Sequence, residues 1–399
     1  MPYPNFESTD IVIIGGGPIG GTLACMLALN GFKVTVIDKC SRQKKLDLCS
    51  DGRAWSITAG SVNFLTSLGI WENAKKYATP IKKIRVSDNR CNSFVHYDEK
   101  ELYSDALGYI IQSSSMNFFI QQVANGLSGI KWIEKKEVTK ISFSDSCVYT
   151  VIENTEMTLS SPLVVIADGR QSPWRKKMYH SLTNWSYGQT ALVFDVTHEK
   201  PHLDTAFEHF RSKGPIAVLP TLKPTVSSVV WSEVKQNIEY LQVLNDKDFI
   251  KIAQNEFGNY LGNWVLSGNR WSYPLTGIFV RQLFRHRTVF IGDAAHGIHP
   301  VAGQGLNLGF QGVETLAKIL VDFRSVGVDI GSDLVLEKYD INQKLKALLM
   351  TFGCDSIVRL FSTNFLPAKL SRRFALDITQ KIPFIRKFLA HYAMGLSLY

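Results

Sequence analysis

Gly15, Gly17 and Gly20, with a carboxylate at Asp38 eighteen residues further on, have the types and spacing needed to hold a diphosphate and a ribose. Gly15 allows a tight turn, Gly17 lets the backbone approach a pyrophosphate, and Gly20 lets a helix pack closely on a strand. The anion would sit at the helix N-terminus, where backbone N–H groups point outward. Asp38 is placed to accept hydrogen bonds from ribose hydroxyls. These residues need a strand, a helix and a second strand around them, and the sequence supplies all three. Ile11 to Ile14 is an apolar run of the kind buried in a parallel sheet. Leu23, Leu27 and Ala28 recur at helical spacing, and Val34 to Ile37 forms a second apolar run ending at Asp38. The pattern points to a dinucleotide and does not by itself separate FAD from NAD.

Two later segments make that separation. An apolar strand, Leu163 to Ile166, runs into Asp168-Gly169, with Ser172 and Arg175 following. Near Thr288 another strand ends in Gly292-Asp293, then Pro300, and a loop with Gly303 and Gly305 opens a helix. That helix carries Leu306, Phe310, Val313, Leu316 and Leu320 on one face. An N-terminal G-x-G-x-x-G, a central Asp-Gly and a late Gly-Asp with a proline and a glycine loop, in this order, resemble the FAD-dependent aromatic hydroxylases of the p-hydroxybenzoate hydroxylase type. The resemblance extends to the hydroxylases of ubiquinone biosynthesis. Its further carriers are Asp51-Gly52-Arg53, SVNFLTSLGIWE (Ser61–Glu72), LGYIIQSSSMNFFI (Leu107–Ile120), RLF (Arg359–Phe361) and KIPFIRKFLAHYAMGLS (Lys381–Ser397). There are departures: Asp38 stands where Glu is more common, a mild change that keeps the carboxylate, Gln311-Gly312 stands where Arg-Asp is common, and Gly353-Cys354 precedes Asp355 where Thr is more usual. The Gln311 change removes a charge near the domain interface and does not touch the three fingerprints.

The resemblance implies an activity and a set of roles. NAD(P)H, bound transiently, reduces FAD. Dioxygen adds at flavin C4a, and the distal oxygen of the hydroperoxide passes to an electron-rich phenol ring. No amino-acid side chain can do this chemistry; a flavin can. Gly15, Gly17, Gly20 and Asp38 would hold the ADP half. Arg53 would reach the pyrophosphate with its guanidinium fork, and Gln112 would contact the flavin half. Asp168 would act indirectly, through local backbone bonds at the cleft. Gly292 and Asp293 would meet the ribityl chain. Pro300 and the backbone from Ala302 to Asn307, including Gly303, Gly305 and Leu306, would line the flavin. The helix N-terminus there would favour anionic reduced flavin. No side chain is assignable as the catalytic base.

Composition sets the limits. The 399 residues are 45% hydrophobic and 20% charged, which is globular and long enough for more than one domain. Six cysteines (Cys25, Cys40, Cys49, Cys91, Cys147, Cys354) include no C-x-x-C pair, which speaks against zinc and a disulfide framework and for a reducing cytosol. Asp293, His296 and His299 belong to the late fingerprint, so no metal is expected. There is no signal-peptide pattern and no apolar run of spanning length. The net charge is +9. With no zinc finger, RRM or helix-turn-helix pattern, nucleic acid is not an expected partner. Between Lys369 and Lys387 six cations (Lys369, Arg372, Arg373, Lys381, Arg386, Lys387) face one acid, Asp377, among Phe374, Phe384, Phe388 and other apolar residues. This reads either as an amphipathic helix pair packed on the body with a solvated basic face, or as a membrane-surface element.

The expected fold is α/β. A Rossmann-like FAD-binding domain with a parallel sheet is built discontinuously from 1–80, 105–190 and 280–345. A mixed substrate-binding β-sheet layer comes from 81–104 and 191–279, interrupted by a helix over Asp246 to Tyr260, and 346–399 forms a helical C-terminal segment. The expected function is an FAD-dependent monooxygenase acting on a polyprenylated phenol with O2. It would be cytoplasmic, with peripheral contact on the inner membrane face and with other ubiquinone-biosynthesis proteins as partners. Two alternatives stay open: a hydroxylase of a small soluble aromatic, and a catalytically silent FAD-binding scaffold. A halogenase is disfavoured, because there is no W-x-W-x-I-P.

Overall fold

A computed structural model of the chain describes residues 5–43, 51–88, 94–102, 104–178, 183–363 and 365–395. Cys49, Cys91, Ser397 and part of the alternating run after Ile81 lie outside them. The centre is a six-stranded sheet in the spatial order Phe284–Arg285, Thr288–Phe290, Leu163–Ile166, Ile11–Ile14, Val34–Asp38, Ile130–Glu134. Five of these strands run parallel. We label β1 Ile11–Ile14, β2 Val34–Asp38, β5 Leu163–Ile166 and β9 Thr288–Phe290. β1, β2, β5 and β9 are wholly buried apolar runs apart from Thr35, Asp38 and Thr288, as strands covered on both faces must be.

Helix α1 (Pro18–Leu29) connects β1 to β2. It buries Leu23, Ala24 and Leu27 in the same core that receives Met116, Phe119 and Ile120 of α2 (Ser113–Asn125) and Phe310, Val313, Leu316 and Leu320 of α3 (Gly305–Ser325). The late apolar face read from the sequence is therefore the face that packs.

The second large element is an eight-stranded sheet. Its long members are β6 (Thr183–His198) and β8 (Trp264–Phe279), paired antiparallel. β7 (Thr205–Phe210) pairs in parallel with Lys83–Asp88, which is what joins the early alternating segment to the later one. One face carries Phe207, Val218, Val229 and Trp231 against Phe249 and Ile250 of a helix spanning Asp246–Phe257. That helix ends before the expected Tyr260, because Gly258 adopts a left-handed φ of 99°. A neighbouring helix, Lys235–Val243, was not anticipated. Its nine residues bury only Ile238 and Leu241, so its apolar periodicity is thin. The opposite face carries Ala206 and Phe210, which cluster with Ala54 and with Ile298 and Val301 respectively.

A short three-stranded sheet contains β3 (Ala54–Thr58) and β4 (Gly108–Gln112), paired antiparallel. The chain closes with three helices, α4 (Asp333–Ser362), α5 (Leu366–Lys381) and α6 (Pro383–Ala393). Among the described residues no helix is long and apolar enough to cross a membrane.

Candidate active site

The turn after β1 is shaped by what its glycines lack. Gly15 has a φ of 103°, and a Cβ there would lie 2.4 Å from the carbonyl oxygen of Ala167. Its N–H donates to Ile37 O at 2.8 Å. A Cβ on Gly20 would lie 1.9 Å from Gly15 O, so α1 can approach the turn only through glycine. At Gly17 the same construction meets nothing within 4 Å. The space in front of Gly17 is open, and α1 starts there at Pro18 with no side-chain cap. Uncapped N–H groups over an open cradle fit a diphosphate. Asp38 sits at the end of β2, where its carboxylate accepts the N–H groups of Gly16 and, at 2.7 Å, Cys40. It thus fixes the rim of the turn, and its position beside that rim fits a ribose.

The central and late fingerprints are tied to each other by an arginine. Arg175 is buried and donates to the carbonyls of Asp293 (3.3 Å), Ala294 (3.0 Å) and Arg170. The Ser172 hydroxyl accepts the Arg175 N–H at 3.1 Å. Asp293 follows the left-handed Gly292 at the end of β9 and forms an ion pair with Arg170 Nε at 3.3 Å. Its carboxylate remains half-exposed. Neither buried carboxylate oxygen of Asp168 meets a protein donor in good hydrogen-bond geometry, with its own backbone N–H and the Ser172 hydroxyl the nearby donors. Burial pushes this carboxyl above the usual range, and the nearby Ser172 and Arg175 only partly offset that. An orphaned acid at the end of β5, beside the diphosphate turn, is the kind of group a ligand satisfies.

Arg53 lies just before β3, where that segment meets Tyr273 of the eight-stranded sheet. Its guanidinium bonds Asp51 at 2.6 Å and 2.9 Å and stacks near Trp55 and Tyr273. Asp51 also accepts the Ser113 hydroxyl at 2.6 Å, while its carbonyl accepts the Tyr273 hydroxyl at 2.5 Å. Burial would raise the Asp51 carboxyl, but Arg53 and Ser113 together hold it below its usual value. The half-exposed guanidinium is thereby aimed without being consumed. Asp51, Ser113 and Tyr273 were missed as site residues. Asp51 and Ser113 lie inside motifs that carry the resemblance but were given no role there, whereas nothing local marks Tyr273. Gln112 ends β4 and is the N-cap of α2, with its side chain making no capping bond.

The Pro300 loop is held from both sides. Gly303 packs against Ser56 of β3, where a Cβ would come within 2.8 Å. Asn307, almost wholly buried, donates to Ser56 O at 2.9 Å and accepts the Thr58 N–H at 3.0 Å. Its side chain is committed to β3, so only its backbone is left to face a flavin. Gly305 opens α3 with no side-chain cap, and Leu306 packs on the core. This is a second helix N-terminus free to take up negative charge. His299 accepts the Val301 N–H at Nδ1 (3.1 Å), which leaves Nε2 to donate to Gln189 Oε1 at 3.2 Å. Burial pushes His299 down to about 4 and His296 to about 3, so both rings are neutral. Among the described residues no His, Cys, Asp and Glu side chains cluster as a metal site.

The residues present thus fit a flavin dinucleotide: an open diphosphate cradle, a carboxylate at the ribose end, an orphaned acid, and a glycine loop opening a second helix. A family model described as an FAD binding domain matches residues 8–341. The chain belongs to that family, and FAD is its cofactor. It is an FAD-dependent monooxygenase whose relatives include enzymes of ubiquinone biosynthesis. It is 35% identical over 387 residues to a ubiquinone hydroxylase of Rhodospirillum rubrum, covering 97% of this chain and 89% of that one. It is 29% identical over 392 residues to the 3-demethoxyubiquinol 3-hydroxylase of Escherichia coli, covering 98% and 99%. Among solved structures, p-nitrophenol 4-monooxygenase from Pseudomonas putida superposes with a TM-score of 0.81 at 17% identity, covering 98% of this chain and 100% of that one. At that identity the likeness is one of fold.

Proposed function

We propose that this monooxygenase hydroxylates the aromatic ring of a polyprenylated phenol in ubiquinone biosynthesis, with NAD(P)H as transient reductant and O2 as co-substrate. The observation that carries the reading is similarity to a ubiquinone hydroxylase over 97% of the chain. Bound FAD would supply hydride acceptance and oxygen activation. Gly15, Gly17 and Gly20 with the start of α1 would cradle the diphosphate, and Asp38 would take the adenosine ribose. Arg53, aimed by Asp51, would neutralise the diphosphate from the opposite side. Asp293 would accept from the ribityl chain, and Asp168 would find its missing donor at the cleft. The backbone of Pro300 to Asn307 would position the ring system, with the N-terminus of α3 balancing negative charge. Gln112 would contact the flavin half.

Phe210, Ile298, Val301 and Val358 cluster with Phe361, linking the Pro300 loop to the C-terminal helices. We take the inserted sheet (81–104 and 191–279) as the substrate layer and the three-part remainder up to 345 as the FAD layer. Peripheral membrane contact through the C-terminal helices belongs to the same proposal.

The test is NAD(P)H oxidation by the FAD-loaded protein with a prenylated phenol in detergent, analysed for hydroxylated product. Product from the prenylated phenol supports the reading. Turnover confined to small soluble phenols favours the first alternative, and no phenol-stimulated oxidation favours a silent scaffold.

A further inference from the structure

The face of the eight-stranded sheet turned away from the helix-covered core carries an acid that no described residue neutralises. On β7 the side chains alternate. Phe207 packs into the helix-covered core, so Ala206, Glu208 and Phe210 point the other way. Ala206 packs with Ala54, the residue after Arg53 on β3. Phe210 packs with Ile298 and Val301, which bracket His299 and Pro300. Glu208 lies between these two clusters, and both end on the residues that would cradle the flavin. Its cross-strand neighbours Val86 and Ala217 offer it no hydrogen bond. Its side chain keeps some accessible surface while making no hydrogen bond or ion pair among the described residues. A half-buried carboxyl on this face with no protein partner among the described residues is open to a ligand that reaches the face.

We propose that Glu208 is the catalytic residue that binds the substrate's phenolic hydroxyl and accepts its proton. The inference rests on the reading of the chain as a phenol hydroxylase. The step balances simply. The phenol O–H bond breaks, its proton passes to a Glu208 carboxylate oxygen, and the electron pair stays on the ring oxygen, where it enriches the ring for oxygen transfer. The oxidant and reductant are the O2 and NAD(P)H of the activity itself. Burial pushes the Glu208 carboxyl up to about 8, which makes it a stronger base toward a phenol than an ordinary carboxylate. The other groups facing it are already committed or neutral. Asp88 pairs with Arg372 at 3.2 Å, and Asp355 pairs with Arg359 at 2.7 Å. Burial pushes the Cys354 thiol up to about 11 and the Tyr187 hydroxyl up to about 12. Asp195, also on this face, is raised by burial, and His299 is neutral.

The experiment compares parent and Glu208→Gln, both FAD-loaded, with a detergent-solubilised geranylated phenol. It follows FAD content, NADPH oxidation, hydrogen peroxide and hydroxylated product from pH 6 to 9. We expect unchanged FAD content and product formation roughly 100-fold lower, with peroxide in its place. We also expect a parental rise in product through about pH 8, a rise the variant loses. A fluorinated phenol already ionised at the assay pH should restore much of the variant's product. Glu208→Asp, which keeps the carboxylate, serves as the second variant should Gln disturb FAD content; it should retain the pH rise at a lower rate. A parent that hydroxylates the phenol while Glu208→Gln matches it at every pH overturns this inference alone. A parent that hydroxylates no phenol overturns the functional reading, and the inference with it.

Discussion

Asp293 shows how a fingerprint residue can be legible while its setting is not. Its place after Gly292 follows from the strand-turn pattern, but its ion pair with Arg170 and the Arg175 bonds to neighbouring carbonyls do not. The partners lie more than a hundred residues away, on the turn and short helix (Pro173–Met178) after β5, and meet only because β5 and β9 are adjacent. Asp293→Ala should weaken FAD binding by about 1.5–3 kcal/mol, roughly 10- to 150-fold, in a titration of apo-protein. Unchanged affinity would remove Asp293 from the site. Gly20→Ala should be more severe, since a methyl group there would lie 1.9 Å from Gly15 O. Protein purified without flavin is the expected outcome, and a yellow, stable variant would refute the close approach. His299 adds a pH dependence. Its folded value of about 4 lies below the ordinary ~6.5. The unfolded chain therefore takes a proton that the native ring refuses. The stability it contributes is complete above pH ~6.5 and is lost as pH falls toward 4, roughly 3 kcal/mol in all. The urea midpoint should drop between pH 7 and 5, and His299→Gln should shrink that drop.

At the scale of elements, the local patterns translated directly. β1, α1 and β2, the later strands at Leu163 and Thr288, and the buried face of α3 all stand where apolar periodicity placed them. What periodicity could not give was long-range pairing. Nothing near Lys83–Asp88 says that it will lie parallel to β7, and that pairing decides which way Glu208 faces. The charge pattern of the C-terminal helices misled in a specific way. Arg372 was counted with the cations of a lipid-facing surface, yet it is 0% exposed. It pairs with Asp88 at 3.2 Å and donates to Leu360 O and Thr363 O at the end of α4. Arg386 is likewise engaged, with Glu101 at 2.5 Å and Gln380 O at 2.6 Å. Both fasten α5 and α6 to the body, because a guanidinium can satisfy carbonyls and a carboxylate at once. Removing one member of a buried pair strands the other, so Arg372→Met should cost about 3–5 kcal/mol in thermal or urea unfolding. Adding Asp88→Asn should recover much of that loss. A single variant as stable as the parent would show that the pair holds nothing.

For the molecule as a whole, the remaining question is how a chain without a spanning helix among its described residues would reach a lipid-soluble phenol. The C-terminal helices offer an answer once the buried arginines are set aside. Phe365, Phe374, Phe384, Phe388 and Tyr392 are exposed there, Phe384 at 78%. Arg373 and Lys381 stand on α5 with exposed side chains, Arg373 in a loose surface pair with Asp377 at 3.8 Å. Each cation near an anionic leaflet contributes about 1 kcal/mol. Each phenylalanine buried at the interface adds roughly 1.5–3 kcal/mol, which salt does not screen. The apolar part should therefore dominate. The proposed contact predicts sedimentation with anionic liposomes that high salt weakens but does not abolish. Arg373→Gln with Lys381→Gln should remove the salt-sensitive part. Phe384→Ser with Phe388→Ser should remove most of the rest, and both pairs should leave FAD content and thermal stability intact, because neither touches Arg372 or Arg386. If the phenylalanine pair sediments like the parent, the exposed rings do not meet lipid, and delivery of the phenol by a partner protein becomes the better account.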